Sequence, residues 1–202
     1  MNRKTFLLLI TGFFMLSGTV SFAGVKGAVK KGNVLYNKRA FDDALKAYES
    51  ALTAAPDSAI VNFDIGAALY KTGDYDAALR HFEKALVADD ESLRQKAYYN
   101  SGNAHYKQGV TFRSAEPQRA VELWEGSLQH YERSLAIDPE DDDARFNYEF
   151  VKKKLEELKQ NMQEQAEQEK RSAAAGEQEK KDDGSSQDGS SHEDAQDDNE
   201  KQ

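Results

Sequence analysis

The chain contains no cysteine, only three prolines and a single tryptophan among its 202 residues. Without cysteine it can form no disulfide, carry no thiol nucleophile and offer no thiolate to a metal ion or an acyl chain. Its apolar share of 39% is low for a protein of this length that is folded throughout. We therefore expect one folded domain held together by packing alone, and a segment that stays unfolded.

Positive charge is also scarce. The formal net charge is −9, and residues 160–202 hold 13 acidic side chains against 5 basic ones, so the rest of the chain is nearly neutral. Nucleic-acid binding needs a cationic surface that displaces counterions from phosphate. The composition therefore argues against a nucleic-acid partner.

Side chains suited to catalysis are few. There are four histidines, with no His-x-x-x-His pair and no glycine-rich phosphate loop, which disfavours zinc, nucleophilic and nucleotide chemistry. The repeat register described below predicts that His81 and His130 face solvent and that His105 is a hydrogen-bonded core residue. We predict a protein that is not an enzyme and that has no cofactor, no metal site and no small-molecule substrate.

The amino terminus has the pattern of a secretory leader. Arg3 and Lys4 precede an apolar run at 6–16, and a small-x-small pattern ends at Ala23. We predict a signal peptide over residues 1–23 and export of the protein. The alternative is an uncleaved leader that tethers the protein to the membrane, because the apolar stretch approaches the length needed to span a bilayer.

The central part of the chain repeats itself at an interval of 34 residues. Residues 32–36 align with 66–70, and residues 41–45 align with 75–79. A period of this length is typical of stacked helix-turn-helix units. Repeats are predicted at about 25–58, 59–92 and 95–141.

The third repeat is longer than the other two. Its second half is displaced by 13 residues, and the additional material lies in the region 109–126, which contains Pro117 and Trp124. The sequence leaves two interpretations of Trp124, an exposed anchor for a partner or a plug for the lengthened hairpin.

Small residues recur where the two helices of each hairpin should meet. Glycines on the first helices are expected to face small residues on the second, so that the backbones approach closely, while aromatic side chains fill the space between successive hairpins. The glycines are Gly32, Gly66 and Gly102; the small residues are Ala44, Ala78 and Ser127; the aromatics are Tyr48, Phe82 and Tyr131.

Beyond the repeats, residues 142–159 form an amphipathic pattern with an apolar stripe at Tyr148, Val151, Leu155 and Leu158. We predict a helix that caps the open side of the last hairpin. Residues 160–202 form an acidic, low-complexity tail, in which residues after about 171 are expected to be disordered because they have little to bury.

These features resemble the tetratricopeptide repeat (TPR) over about residues 25–158. The resemblance implies an all-α helical-hairpin solenoid of about three repeats with a C-terminal capping helix and a disordered acidic tail. It also implies a concave groove, lined by the first helices, that binds an extended peptide or a partner helix. The predicted groove residues are Asn33, Tyr36, Asn37, Phe63, Tyr70, Lys71, Tyr99, Asn100, Asn103, Tyr106 and Lys107.

Residue types in this set suit polypeptide binding. Tyr36, Tyr70 and Tyr106 recur at one repeat position, and tyrosine combines a large apolar area with a polar tip. Asparagine offers a donor and an acceptor to a peptide backbone. The alternative is that the tyrosines only pack between hairpins; we favour binding, since the neighbouring amides have no expected core role. The residues that clamp a C-terminal carboxylate in some relatives are not reproduced, so such recognition is not expected.

The order of segments is similar to that of the Bat aerotolerance TPR proteins: leader, few repeats, elongated third repeat, cap and Gln/Glu/Lys tail. This resemblance implies a bacterial periplasmic scaffold in an oxidative-stress system. Its partners would be membrane-anchored proteins with von Willebrand factor A domains, working with a MoxR-type ATPase. The alternative is a periplasmic chaperone or envelope-biogenesis adaptor that binds many clients.

Overall fold

The computed structural model describes residues 22–184. Within that range the chain forms seven α-helices and no β-strand, as predicted. The helices are α1 (Phe22–Asn37), α2 (Phe41–Ala54), α3 (Ala59–Thr72), α4 (Tyr75–Ala85), α5 (Glu91–Phe112), α6 (Pro117–Ile137) and α7 (Asp142–Gly184). The predicted signal peptide lies outside the described residues except for its last two positions, and so does the tail from residue 185 onward.

The first six helices form three hairpins that stack side by side. α1 packs mainly on α2, α3 on α4 and α5 on α6, while α2 contacts α3, α4 contacts α5 and α6 contacts α7. α3 also touches α5, so the first helices of neighbouring hairpins share one side of the stack. This is the solenoid that the 34-residue period predicts.

Short turns with local caps separate the helices. Gly73 ends α3 in the left-handed conformation, at a φ of 89°. Asp74 and Asp141 each accept a hydrogen bond from a backbone N–H three residues on, at 3.0 and 2.9 Å. Asp90 accepts one from the N–H of Ser92 at 2.9 Å. Asp90 therefore caps the start of α5, where the third repeat begins.

Each hairpin is closed by a glycine packed against an aromatic ring of the second helix. Gly32 lies against Tyr48, and a Cβ added at Gly66 would come within 2.7 Å of the Phe82 ring. The Ser127 hydroxyl donates to the Gly102 carbonyl oxygen at 2.7 Å. The expected close approach is confirmed. Tyr48 also packs in a cluster with α3 residues of the next hairpin, which is the position between hairpins that was predicted for it.

The additional residues of the third hairpin lengthen both of its helices rather than forming a loop. α5 has 22 residues and α6 has 21, compared with 14 and 11 in α3 and α4. A further glycine–aromatic contact joins them, between Gly109 and Trp124. Trp124 is 1% exposed, and its indole N–H donates to the Tyr106 carbonyl at 3.1 Å. Trp124 is therefore not an exposed anchor. It fills the space between the two helices of the lengthened hairpin.

The capping helix is longer than the sequence pattern predicts. Val151, Leu155 and Leu158 are buried against α6, in a cluster that contains Trp124. α7 continues past residue 159 to Gly184, so residues 172–184, which were expected to be disordered, are helical. Alanine, glutamate, glutamine and lysine make up most of this stretch, and these residues have high helix propensity. Among the helices of residues 22–184, none is long and apolar enough to cross a membrane.

Candidate functional site

All eleven predicted groove residues lie on the first helices of the hairpins. Four of them are exposed, and the other seven are partly buried. The exposed residues are Asn33 and Asn37 on α1, Lys71 on α3 and Lys107 on α5. The partly buried residues are Tyr36, Phe63, Tyr70, Tyr99, Asn100, Asn103 and Tyr106.

A concave cavity of about 360 Å³ lies where α1, α3 and α5 come together. It brings together five of the predicted residues, namely Asn33, Tyr36, Asn37, Phe63 and Asn100. Tyr48, Asp64 and Ala67 complete its lining. We call this cavity and the neighbouring surface of α5 and α7 the concave site.

Asp64 sets the charge of the cavity. Burial of its carboxyl raises the pKa of Asp64 to about 6, because the ionised form loses hydration. At neutral pH the side chain is still mainly ionised. The cavity therefore combines one carboxylate with amide groups and an aromatic wall, and its carboxylate favours a ligand with hydrogen-bond donors.

The amides at Asn33 and Asn103 have a structural role that the sequence did not suggest. The Tyr48 hydroxyl donates to the side-chain oxygen of Asn33 at 2.7 Å, and the Tyr131 hydroxyl donates to that of Asn103 at 2.7 Å. The expectation that these amides have no core role is thus wrong. Each amide secures the aromatic ring that closes its hairpin, and only the remaining polar atoms are available to a ligand.

The three tyrosines at the repeated position also pack within their own hairpins. The Tyr36 ring meets Phe41 edge-on at 5.2 Å, and the Tyr70 ring meets Tyr75 at 5.7 Å. The Tyr106 ring stacks on Trp124 at 5.7 Å. Burial raises the pKa of all three hydroxyl groups. Of the three, Tyr36 lines the concave cavity directly.

The capping helix covers part of the third repeat. The Asn147 side chain donates to the Tyr99 hydroxyl at 3.0 Å and to the Asn103 side-chain oxygen at 3.2 Å. The Phe150 ring meets Tyr106 edge-on at 5.6 Å. The predicted residues Tyr99, Asn103 and Tyr106 therefore contact the chain's own α7, whereas the cavity beside the first two repeats stays open.

Two exposed aromatic residues of α7 were not among the predicted site residues. Phe146 is 69% exposed and Phe150 is 40% exposed, and their rings stack at 6.4 Å. They lie four residues apart, off the buried stripe that runs through Val151. Their four-residue spacing was the signal in the sequence. It places two apolar residues on a second face of an amphipathic helix, away from the face that packs in the core.

The histidines differ from the prediction that two of them face solvent. The ring nitrogen Nδ1 of His81 lies 2.9 Å from the Asn62 side-chain oxygen. His105 and His130 stack at 5.0 Å, and the Nδ1 atom of each is buried without a hydrogen-bond partner. Burial lowers the pKa of His105, and it lowers that of His130 to about 4. The predicted solvation of His81 and His130, and the predicted hydrogen bond of His105, are therefore wrong.

No group of three or more histidine or carboxylate side chains within residues 22–184 is arranged to hold a metal ion. Within residues 22–184, the concave site presents aromatic rings, amides, lysines and the carboxylate of Asp64. Such a surface is suited to binding a polypeptide through hydrogen bonds and apolar contacts.

Solved structures share this fold at low sequence identity. One is the first TPR domain of Spaghetti (RPAP3) bound to the HSP90 peptide SRMEEVD, 19% identical, with a TM-score of 0.55 over 66% of this chain and 94% of that chain. The Sgt2 TPR domain of Aspergillus fumigatus is 22% identical, with a TM-score of 0.56 over 67% and 82%. The Yersinia enterocolitica type III secretion chaperone SycD, in complex with a peptide of the translocator YopD, is 12% identical, with a TM-score of 0.53 over 71% and 98%.

Comparison with curated proteins gives no match. The family model described as tetratricopeptide repeat matches residues 29–92 and residues 63–142, which together span more than half of the chain. The three stacked hairpins agree with that match. The chain therefore belongs to the tetratricopeptide repeat family.

Proposed function

We propose that this protein is a non-enzymatic adaptor that binds a segment of a partner protein in its concave site. The observation that carries the proposal is the exposed pair Phe146 and Phe150 at one end of that site, where Phe150 contacts Tyr106 and Phe146 stacks on Phe150. Two neighbouring phenylalanines in water are costly to leave uncovered, and aromatic side chains are frequent anchors of protein interfaces. The open cavity beside the first two repeats supplies polar contacts along the same face.

The charge of the concave site indicates what kind of segment it binds. Asp64 lies in the cavity and would repel the carboxylate at a peptide's C-terminus. Its amide neighbours Asn37 and Asn100 suit hydrogen bonds to a peptide backbone. The ligand is therefore an internal segment with apolar anchors for the phenylalanine pair.

The resemblance to the Bat aerotolerance TPR proteins, to BatC in particular, supports a more specific proposal. The protein is a periplasmic component of that oxidative-stress system, and it binds membrane-anchored proteins with von Willebrand factor A domains. The support is the segment order together with the cap sequence at residues 142–149, which contains Phe146 of the exposed pair. On this proposal the adaptor holds one defined partner near the membrane.

A second candidate function is a periplasmic chaperone or envelope-biogenesis adaptor that binds many clients. The fold shared with SycD, which was solved with a translocator peptide, supports it. The two functions differ in the number of partners. A scaffold forms one complex of fixed stoichiometry with its partner, whereas a chaperone binds many unrelated polypeptides.

Co-purification from a detergent-solubilised envelope extract of the parent cell tests the proposal. Tagged protein is compared with a Phe146→Ser/Phe150→Ser double variant and with Val87→Ser, a control at an apolar residue that is 76% exposed at the end of α4. We expect one defined complex with the unmodified protein and the control, and about tenfold less with the double variant. Equal capture by all three proteins would contradict the concave site, and a broad client spectrum would favour the chaperone.

Export is tested separately. Fractionation should place the protein in the periplasm, and amino-terminal sequencing of the purified protein should begin at Gly24. A cytoplasmic protein that starts at Met1 would refute the periplasmic part of the proposal. It would leave the concave site untouched, because that site begins at α1.

A further inference from the structure

The additional region 109–126 of the third hairpin forms one wall of a cavity, and α7 forms the other. The cavity has a volume of about 280 Å³. Its lining includes Arg113, Ser114 and Trp124 from the additional region, and Lys154, Glu157 and Asn161 from α7. We call it the junction cavity. The first two repeats have no counterpart of region 109–126, so this cavity is not part of the repeated groove.

The size and the charge of the junction cavity indicate what it can hold. Its volume of about 280 Å³ lies below the roughly 300–1,000 Å³ of most small-molecule pockets, so it suits a single side chain. Arg113 and Lys154 supply two positive charges to the lining against the one negative charge of Glu157. This local excess of positive charge lies in a chain with a formal net charge of −9, and it favours an anionic group.

Both cations are accessible to a ligand. Arg113 is exposed and forms no ion pair within residues 22–184. Lys154 donates to Glu157 at 2.7 Å, but the two side chains are 36% and 45% exposed, and ion pairs in such surroundings contribute little. A guanidinium group binds a carboxylate through two parallel hydrogen bonds. Arg113 is therefore the main candidate to bind the anionic group, with Lys154 beside it.

The junction cavity adjoins the exposed phenylalanine pair of the concave site. Phe146, Phe150 and Lys154 follow one another at four-residue intervals, which places them on one face of α7, about 6 Å apart. Tyr106 connects the two regions, because its ring meets Phe150 at 5.6 Å. Burial raises the pKa of the Tyr106 hydroxyl, whereas Lys154 and Arg113 both lower it, so both cations lie near this ring.

We propose that the junction cavity binds an acidic side chain of the same partner segment whose apolar residues cover Phe146 and Phe150. This inference rests on the proposed function and adds the chemical class of the partner. Alternate side chains of an extended segment share one face and lie roughly 6.5 Å apart, close to the spacing along α7. The partner segment therefore carries two apolar residues and one acidic residue at alternate positions.

The chain's own acidic tail does not meet this requirement. Residues 163–202 contain no aromatic residue and no aliphatic residue larger than alanine. The tail could supply a carboxylate to Arg113, but it has no side chain to cover the phenylalanine pair. Asp64, in the cavity beside the first two repeats, would repel an acidic residue there. The acidic end of the partner segment therefore lies towards α7.

Selection of random peptides displayed on phage, with the full-length protein immobilised, tests the inference. We expect the enriched peptides to carry aspartate or glutamate two positions from an apolar residue. Selection on the Arg113→Glu variant should replace this acidic residue by lysine or arginine and should keep the apolar positions. Arg80→Glu makes the same charge change at an exposed arginine of α4, outside the junction cavity, and should select the same peptides as the unmodified protein.

A synthetic copy of the most enriched peptide, capped at both ends and labelled with fluorescein, gives the size of the effect by anisotropy. It should bind about tenfold more weakly to Arg113→Glu than to the unmodified protein or to Arg80→Glu. The same peptide with lysine in place of its acidic residue should show the reverse preference. Added salt should weaken binding to the unmodified protein. Circular dichroism establishes that each variant is folded.

The outcomes separate this inference from the proposed function. Enriched peptides that share apolar residues but show no preference in charge would overturn the inference and leave the proposed function in place. No enrichment, or enrichment that Phe146→Ser/Phe150→Ser leaves unchanged, would contradict both. Binding that appears only after residues 171–202 are removed would make the chain's own tail the occupant of the junction cavity, and would also overturn the inference.

Discussion

Single residues set the spacing of the helices in every hairpin. Gly66 is pressed against Phe82, Gly102 against Tyr131 and Gly109 against Trp124. Because protein interiors are close-packed, even one added methyl group at such a contact must displace the ring or the helix. These contacts explain how the stack holds together without a disulfide.

Gly66→Ala should destabilise the protein by about 1–3 kcal/mol, because its Cβ would lie 2.7 Å from the Phe82 ring and 3.2 Å from the Ala78 carbonyl oxygen. Gly27 is the matched control, since nothing lies within 4 Å of a Cβ added there. Gly27→Ala should stabilise α1 by roughly 0.5–1 kcal/mol. Urea unfolding followed by circular dichroism measures both. An unchanged midpoint for Gly66→Ala would show that the ring moves aside freely.

The stacked pair His105 and His130 makes stability depend on pH. Burial lowers the pKa of both residues in the folded protein, and Arg133 lowers that of His130 further, to about 4. Between pH 6.5 and 4 the unfolded chain therefore binds more protons than the folded one, and stability falls as the pH falls. Asp64 acts in the opposite direction, because its pKa is raised to about 6 in the folded protein.

Comparison with a variant isolates the histidine contribution. His130→Phe keeps an aromatic ring beside His105 and Tyr98 but cannot take up a proton. Between pH 6.5 and 5 the variant should lose less unfolding free energy than the parent protein. Parallel curves for the two proteins, measured by urea unfolding across that range, would show that His130 does not titrate differently in the folded state.

The period of the repeat was sufficient to predict that Gly32, Gly66 and Gly102 lie where the two helices of a hairpin approach closely. It did not predict that the nearest groups are the aromatic rings, or that Gly109 packs against Trp124. It did not predict the environment of the histidines or the hydrogen bonds of Asn33 and Asn103. Both depend on which side chain stands opposite in the neighbouring helix. His130 and His105 are 25 positions apart in sequence and lie on different helices, and their rings stack at 5.0 Å.

At the level of elements, the third hairpin and the capping helix act as one unit. The insertion adds turns to both α5 and α6, and Trp124 fills the space between them. Leu155, Leu158 and the partly buried Met162 of α7 then pack on the cluster that contains Trp124. The lengthened hairpin thus provides the surface on which the cap rests.

Two truncations should separate the packed part of α7 from the rest of the helix. Ending the chain at Lys170 should leave the melting temperature almost unchanged, because residues 163–174 are exposed. Ending it at Lys153 removes two buried leucines and should cost about 3–6 kcal/mol.

Trp124 fluorescence reports on the truncation at Lys153. The shorter chain should show red-shifted, quenchable emission, since its only tryptophan loses the cover of α7. A large stability loss at Lys170 would instead mean that the outer part of the helix docks on the body.

The cap was predictable from its apolar stripe, but its length was not. The stripe ends at Leu158, and beyond it the sequence offers little to bury. α7 nevertheless continues to Gly184 through residues of high helix propensity, which a pattern based on burial does not detect. The sequence pattern likewise showed that the additional residues lie in the third repeat. It did not show that they lengthen both α5 and α6.

At the scale of the whole molecule, the concave site is assembled from several elements. Its amides and Asp64 come from α1, α3 and α5, and the exposed pair of Phe146 and Phe150 comes from α7. No single hairpin carries all of these groups, so the site depends on the stacking of the hairpins and the cap.

Site-specific photo-crosslinking in the living cell tests the central claim, that the concave site binds a partner polypeptide. A photoreactive phenylalanine analogue is placed at Phe146, and in a second strain at Val87, which is also well exposed but lies outside the concave site. The account predicts a discrete crosslinked partner from position 146 and none from position 87. Crosslinks of equal yield from both positions, or a partner captured only from position 87, would contradict it.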